Sequence, residues 1–183
     1  MVPIEIFKLK DGKILEIHID PDPINPRKEW DNLCYILCFH KRYDLGDTHH
    51  YKKSDYESWD EFKTKIEEDN PQCIIHPLYL MDHSGLSISI QPFGCPWDSG
   101  QIGFIFLPKE YIEQELKNNL KRAEQVISSE IESYNQYLSG EVYGYIIRDK
   151  NCSECGSAGE ELDSCWGYFD RDSVLDNYRK EII

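Results

Sequence analysis

A hairpin signal near the start of the chain limits the possible folds more than any other sequence feature. Residues Ile4 to Leu9 and Lys13 to Ile19 alternate between apolar and polar side chains, with Asp11-Gly12 between them. Asp-Gly between alternating runs is typical of a tight turn that joins antiparallel strands. The sequence therefore predicts an N-terminal hairpin over residues 1–20, followed by a proline-rich connector from Asp20 to Pro26 that cannot continue a strand.

One segment in the first half of the chain has the periodicity of an amphipathic helix. In Ser58 to Asp69, the apolar residues Trp59, Phe62 and Ile66 recur at steps of three and four residues. Ser58 stands at the capping position, with a Glu three residues later, which is the spacing of a capping box. The pattern predicts a helix that docks onto a sheet through its three apolar side chains.

The remaining apolar runs predict strands and one long helical region. The helical pattern covers Pro108 to Leu138, with a polar break over Lys117 to Lys121. The predicted strands are Leu33 to Phe39, Cys73 to Met81, Leu86 to Ile90, Ile102 to Leu107, Val142 to Arg148 and Glu161 to Phe169. The last two form a C-terminal hairpin over residues 142–169. We expect a single α+β domain over residues 1–183, with a mostly antiparallel sheet and two or three helices packed on it.

The loop of the predicted C-terminal hairpin holds the sharpest metal-binding signal. Cys152 and Cys155 are separated by two residues and followed by Gly, a spacing at which two thiolates can bind one tetrahedral zinc ion. There is no second pair of this kind, so the other ligands must come from distant residues. Candidates by chemistry are His49, His50 and Cys165. The alternative is a reduced loop or a redox-labile Cys pair.

A second possible ligand set lies on the predicted strand Leu33 to Phe39 and just after it. Cys34, Cys38 and His40 share one face of an extended chain, because side chains two residues apart point the same way. With His83 from another strand they could bind a transition metal. The simpler interpretation is a pair of core Cys residues and one hydrogen-bonded His at the strand end.

Polar and nucleophilic residues are concentrated between two strand-like runs, from Leu78 to Phe106. They are Asp82, His83, Ser84, Cys95, Trp97, Asp98, Ser99 and Gln101. His83 could act as a general base, with Cys95 or Ser99 as nucleophile and Asp98 as the orienting carboxylate, and His40 nearby. A turn held together by side-chain hydrogen bonds explains the same residues more simply. An exposed Trp97 would be a good interface hot spot.

The chain is strongly acidic, with a formal charge of −14 from 34 acidic and 20 basic residues. Phosphate neutralisation requires Lys and Arg, so we expect no direct nucleic-acid binding and favour a basic protein partner. The best candidate contacts are Asp60, Glu61, Glu67 and Glu68. The alternative is that the acidity serves only solubility. No apolar run spans a bilayer and no signal-peptide pattern is present, so we expect a cytoplasmic protein of a bacterial host cell.

Several motifs resemble those of an uncharacterised family of acidic proteins from phages and mobile elements of Gram-positive bacteria. These are DHSG, CPWDSGQ and DSCWG, together with EWDNLCYILCFHKRYDLGD and VYGY. The resemblance covers most of the chain from Glu29 to Phe169 and implies a genomic setting rather than a mechanism.

In that setting, an acidic chain without a convincing catalytic set indicates an inhibitor of a host defence nuclease. The concrete hypothesis is a non-enzymatic type II-A anti-CRISPR protein that binds Cas9 and carries a structural zinc. The alternatives are a small metal- or Cys-dependent hydrolase of phage origin and a zinc-stabilised binding module.

Overall fold

The computed structural model of the protein describes residues 1–150 and 159–183. This part of the chain contains five α-helices and eight β-strands. The strands form two antiparallel four-stranded sheets. The predicted α+β class is confirmed, and the strands are divided between two sheets. The chain forms two compact units: one comprises Asn25–Asn135, and the other comprises Met1–Ile24 with Gln136–Ile183.

Most elements occupy the segments that the sequence predicts. The strands are β1 (Glu5–Lys8), β2 (Ile14–Ile19), β3 (Tyr35–Cys38), β4 (Ile74–Asp82), β5 (Leu86–Ser89), β6 (Ser99–Leu107), β7 (Tyr143–Arg148) and β8 (Glu161–Tyr168). The helices are α1 (Pro26–Glu29), α2 (Trp59–Asp69), α3 (Lys109–Gln114), α4 (Leu120–Ser139) and α5 (Arg171–Asp176). None of the described helices combines the length and the apolar character that crossing a membrane requires.

The unit built from both chain ends has the strand order β1-β2-β7-β8. The N-terminal hairpin is confirmed: β1 pairs antiparallel with β2, and Gly12 in the turn has a φ of 89°, a conformation that favours glycine. One face of the sheet packs on α5 through Val174. The core residues are Leu9, Leu15, Ile17, Tyr145, Ile147 and Val174.

The central unit has the strand order β3-β6-β4-β5, and α2 contributes to its aromatic core. The buried residues of this core are Leu37, Phe62, Ile66, Phe104 and Phe106. The predicted apolar face of α2 is confirmed, since Phe62 and Ile66 have no exposed surface and Trp59 is half-buried against them. The predicted cap is also present: Ser58 Oγ accepts a hydrogen bond from the Glu61 N–H at 3.1 Å.

The long helical region breaks where the sequence predicts. Lys117 and Asn118 both have positive φ, 52° and 58°, and they separate α3 from α4. Two left-handed residues in succession cannot belong to an α-helix of L-amino acids. At the far end of α4, Gly140 has a φ of 73°, as expected for a residue that ends a helix.

A short helix that the sequence did not predict places an arginine in the interior of the central unit. Asn25 caps α1 by accepting a hydrogen bond from the Arg27 N–H, and the Arg27 side chain is buried. Its guanidinium donates to both oxygens of Asp47, to Glu130 Oε2 at 2.6 Å and to the Cys34 carbonyl at 2.7 Å. Burial alone would lower the pKa of Arg27, but the hydrogen bonds to Asp47 and Glu130 outweigh it and raise the pKa.

The two carboxylates of this network also bind the backbone. Glu130 Oε1 accepts from the N–H groups of Leu33 and Cys34, at 2.9 and 3.2 Å, and Asp47 Oδ2 accepts from the Ile36 N–H at 2.7 Å. The network therefore ties α1 and α4 to the segment that leads into β3. It holds the strand that precedes His40 and Arg42.

Candidate functional site

The tip of the β4–β5 hairpin lies against the segment that leads into β6. Ser84 and Gly85 both have positive φ, 58° and 155°, and the His83 N–H donates to the Gly85 carbonyl at 3.1 Å. The Asp82 N–H donates to the Asp98 carbonyl at 2.8 Å, which fixes the hairpin tip to the later segment. The polar residues of both segments therefore form one surface.

Three of the residues predicted to act together do meet at this surface; we call His83, Cys95 and Asp98 the tip cluster. His83 Nδ1 lies 3.0 Å from Asp98 Oδ2, and the Cys95 thiol contacts the same oxygen at 3.7 Å. Ser99 Oγ donates to the Cys95 carbonyl at 2.6 Å, so that hydroxyl is already used within the turn. The convergence of His83, Cys95 and Asp98 is a finding that the sequence hypothesis anticipated.

The order of contacts in the tip cluster differs from that of a nucleophile–base pair. A catalytic Cys is activated by a base within hydrogen-bond reach, and that base is oriented by a third group. Here the carboxylate of Asp98 occupies the middle position, and both Cys95 and His83 contact it. The His83 side chain is 69% exposed and that of Asp98 is 40% exposed, so both are accessible to water. This arrangement stabilises a turn at the surface.

Trp97 is the most exposed aromatic residue described at this surface, with 93% of its area accessible. It borders a hollow of about 390 Å³, which we call the Trp97 hollow; other lining residues include His40, Arg42, Leu80, Asp82 and Gln101. A large indole in full contact with water has no role in packing this fold. Trp97 is therefore available as an anchor for a partner.

The polar residues around the Trp97 hollow form hydrogen bonds with neighbouring side chains and with the backbone of the turn after β3. Asp82 Oδ2 accepts from Tyr43 OH at 3.1 Å and from Arg42 at 3.3 Å. His40 Nδ1 accepts from the N–H groups of Arg42 and Tyr43, so His40 stabilises the turn after β3. Sequence analysis did not single out Tyr43. The available signal was its position next to Arg42, in the turn that follows a predicted strand. Because Arg42 pairs with Asp82, the residues described around the hollow include no unpaired cation.

The outward side of α2 carries the acidic residues that the sequence singled out as partner contacts. We call Asp60, Glu61, Glu67 and Glu68, all of which are exposed, the acidic face. Lys63 pairs with Glu67 at 3.5 Å and Lys65 pairs with Asp69 at 2.7 Å, so the two cations of the helix are already engaged. The hydrogen bond from Lys65, with a second from Tyr51, lowers the pKa of Asp69.

The residues proposed as alternative metal ligands have other partners in the fold. Burial raises the pKa of Cys38 to about 12, which disfavours the thiolate that binds metals. His49 lies against the Cys38 carbonyl, with Nε2 at 3.0 Å from the oxygen, and His50 stacks on Tyr51. Within residues 1–150 and 159–183, no group of three or more His, Cys, Asp or Glu is arranged to hold a metal ion. Cys152 and Cys155 lie outside the described residues.

The zinc prediction for Cys152 and Cys155 is tested directly by metal analysis. We expect purified protein to carry about one equivalent of zinc, and the double variant Cys152→Ser/Cys155→Ser to release it and lose stability, because structural metal binding is linked to folding. The matched control is Cys73→Ser/Cys95→Ser, which removes two thiols that are not candidate zinc ligands. Wild-type protein that carries no metal and is nevertheless fully stable would contradict the prediction.

Comparison with protein-family models, with curated proteins and with solved structures found no match for this chain. The assignment of a function therefore depends on the side chains described above. Of the residues described in this section, those of the acidic face of α2 and of the Trp97 hollow form surfaces with a chemical character of their own.

Proposed function

We propose that this protein inhibits a basic, nucleic-acid-handling protein by binding it through the acidic face of α2. The observation that carries the proposal is the division of α2 into two sides. Phe62 and Ile66 anchor the helix in the core, and four carboxylates on the other side are exposed. A rigid row of carboxylates on an acidic chain is complementary to a groove lined by Lys and Arg, and such grooves bind nucleic acids.

The concrete form of the proposal is a type II-A anti-CRISPR protein that acts on Cas9. The channel of Cas9 that holds the guide–target duplex is positively charged, and it recognises backbone shape and charge rather than sequence. A protein with a formal charge of −14 is drawn towards such a channel at long range. Occupation of the channel would compete with nucleic-acid loading. The resemblance of the DHSG, CPWDSGQ and DSCWG motifs to an acidic family of phages and mobile elements motivates this choice of partner.

Trp97 supplies the apolar contact that electrostatic attraction alone lacks. Exposed charges at the rim of an interface act chiefly on the rate of encounter, whereas buried aromatic anchors determine how long a complex lasts. An indole that is 93% exposed in the free protein gains much apolar burial when a partner covers it. We therefore assign steering to the acidic face and retention to Trp97.

Association kinetics with apo-Cas9 and with guide-loaded Cas9 test this division of roles. We expect Glu67→Lys/Glu68→Lys to slow association about tenfold at low salt, since steering of charged partners is worth tenfold or more in rate. The effect should shrink at high salt, where the Debye length falls well below about 10 Å. These two positions are chosen because Glu61 also accepts the Glu57 N–H, at 2.6 Å, and so belongs to the helix cap.

The matched control for this variant is Asp31→Lys/Asp44→Lys. It makes the same change in charge at two exposed acids outside α2, and Asp44 also pairs with a lysine, Lys28, at 3.6 Å. Trp97→Ala should speed dissociation and leave association nearly unchanged. Equal slowing by both charge variants would show that only net charge matters, and salt-independent binding would contradict the electrostatic mechanism.

A Cys-dependent hydrolase is the second candidate, because His83, Cys95 and Asp98 do converge. The position of Asp98 between the thiol and the imidazole disfavours it. The two functions are separated by His83→Ala and Cys95→Ser. For a binding protein, both variants retain the affinity for the basic partner. Absence of Cas9 binding at low salt, together with hydrolytic activity that is lost in both variants, would favour the enzyme.

A further inference from the structure

A second hollow is formed within the unit built from both chain ends. We call it the Trp166 hollow; its volume is about 400 Å³, and it is lined by Asp20, Pro21, Asp22, Ile24, Trp166 and Gly167. The volume is within the range of about 300–1,000 Å³ that is typical of small-ligand sites. Its walls come from the connector after β2 and from the end of β8, and apolar atoms predominate in them.

The indole of Trp166 is held in place by the sheet beneath it. A Cβ atom built on Gly144 would lie 2.1 Å from Trp166 Cε3, so the ring rests directly on the backbone of β7 at that glycine. On the same side, the ring of His18 is 6.1 Å from that of Trp166. An aromatic wall fixed in this way loses little conformational entropy when a ligand stacks against it.

The first carboxylate of the hollow is fixed by the backbone on both sides. Asp20 Oδ1 accepts from the Asp22 N–H at 3.0 Å, and Oδ2 accepts from the Gly167 N–H at 3.1 Å. These two bonds join the connector to the end of β8 and hold a negative charge at the edge of the hollow.

The second carboxylate, Asp22, is exposed on the same connector. Within the described part of the chain, neither Asp20 nor Asp22 forms an ion pair with Lys, Arg or His, in contrast to Asp82 beside the Trp97 hollow. No described cation therefore pairs with either carboxylate of the Trp166 hollow.

An indole wall, an apolar lining and two carboxylates without a described cation partner together have the chemistry that recognises an organic cation. A cation over the face of Trp is attracted by the ring, and a carboxylate in reach adds a charge-assisted hydrogen bond. An anion is repelled, and a neutral apolar ligand would cover the carboxylates without compensating them. The guanidinium group fits best, because it is planar, stacks on aromatic rings and pairs with carboxylates through two parallel bonds.

We propose that the Trp166 hollow binds the guanidinium group of an arginine side chain presented by a partner protein. Trp166 stacks on the guanidinium plane, Asp22 pairs with its N–H groups, and Pro21 and Ile24 cover the methylene stem. None of these residues belongs to α2 or to the Trp97 hollow, and recognition of a guanidinium group does not require one particular partner.

The test is an NMR titration of the full ¹⁵N-labelled chain with N-acetyl-arginine amide at constant ionic strength. We expect saturable shifts of the Trp166 indole N–H and the Gly167 amide. N-acetyl-citrulline amide has the same shape without the charge and should give shifts at least about tenfold smaller at equal concentration, as expected when a charge-assisted bond is replaced. Equal shifts with both probes, or no shift at Trp166, would overturn the proposal.

Two variants separate binding in the hollow from general attraction of a cation to an acidic protein. Asp22→Asn removes one negative charge and retains both hydrogen bonds that Asp20 accepts. We expect this variant to bind arginine about three- to tenfold more weakly. Asp44→Asn removes the same charge from a side chain that is 95% exposed in the other unit, and it should leave the affinity unchanged. Equal effects of the two variants would contradict a site at Trp166. No Cas9 is present, so this outcome is independent of the test of the acidic face.

Discussion

Replacement of Arg27 by alanine is expected to destabilise the protein by about 3–5 kcal/mol, the cost of removing one partner from a buried ion network. The guanidinium is the only cation described between Asp47 and Glu130, and its side chain is 2% exposed. Without it, two mostly buried carboxylates face each other and lose their charge compensation. The two carboxylates cannot rotate away from each other, because each also accepts a hydrogen bond from the backbone at the start of β3.

A double-mutant cycle distinguishes this mechanism from simple loss of packing. Glu130→Gln keeps an oxygen for the N–H groups of Leu33 and Cys34 but removes the negative charge. In the Arg27→Ala background this second change should cost less than it does alone, or should even stabilise. Chemical denaturation gives the four free energies of unfolding. Additive effects would show that the ion network contributes no coupling.

An exposed ion pair of the same chemistry provides the control for Arg27. Arg171 pairs with Glu5 at 2.7 Å, but its side chain is 44% exposed. Surface pairs contribute about 0–1 kcal/mol, so Arg171→Ala should fall in that range. If the two arginine variants were equally destabilised, burial would not be the cause of the large effect at Arg27.

The parts of the fold that sequence analysis predicted well depend on local interactions. The N-terminal hairpin follows from Asp11-Gly12, α2 from its apolar spacing and the Ser58 cap, and the α3–α4 break from the polar stretch at Lys117. In each case the residues that determine the structure lie within a few positions of one another. Local propensity and side-chain periodicity are therefore enough to locate the element.

Features that depend on distant residues were not predicted. Helix α1 is short, and its arginine is buried because Glu130, 103 positions later, reaches its guanidinium. The division of the strands into two sheets also depends on pairings that periodicity does not encode, such as β2 with β7. A lone Arg after an Asn-Pro pair predicts an exposed turn residue, and only the tertiary structure makes it a core residue.

The candidate sites show the same dependence on sequence separation. His83, Cys95 and Asp98 lie within sixteen residues, and their convergence was anticipated, although the central position of Asp98 was not. The Trp166 hollow was missed because Asp20 and Gly167 are 147 positions apart and meet only through a side-chain hydrogen bond. The proline-rich connector was treated as a turn, which it is, but its carboxylates also form the edge of a hollow.

Phe62→Ala is expected to cost about 3–5 kcal/mol, the range for removal of a large aromatic side chain from a core. Phe62 has no exposed surface and lies at the centre of the aromatic cluster of α2. Ring centroids within 6.5 Å of its own belong to Phe39, Tyr51, Tyr56, Trp59 and Phe104. Five rings cannot collapse together to fill the space of a sixth, so a cavity remains and adds to the lost transfer free energy.

Sequence periodicity alone gave Trp59 the same weight as Phe62, and the structure separates the two. Trp59 is half-buried at the edge of the cluster, and Lys53 Nζ lies 4.2 Å from the centre of its ring, on a side that is open to water. We expect Trp59→Ala to cost about 1–2 kcal/mol, because part of its surface is already hydrated. Thr64→Ala on the exposed side of α2 is the matched control and should change stability by less than about 0.5 kcal/mol. Urea denaturation of the three variants, followed by circular dichroism, ranks them. A larger loss for Trp59→Ala than for Phe62→Ala would contradict the position of α2 on its sheet, and with it the outward direction of the acidic face.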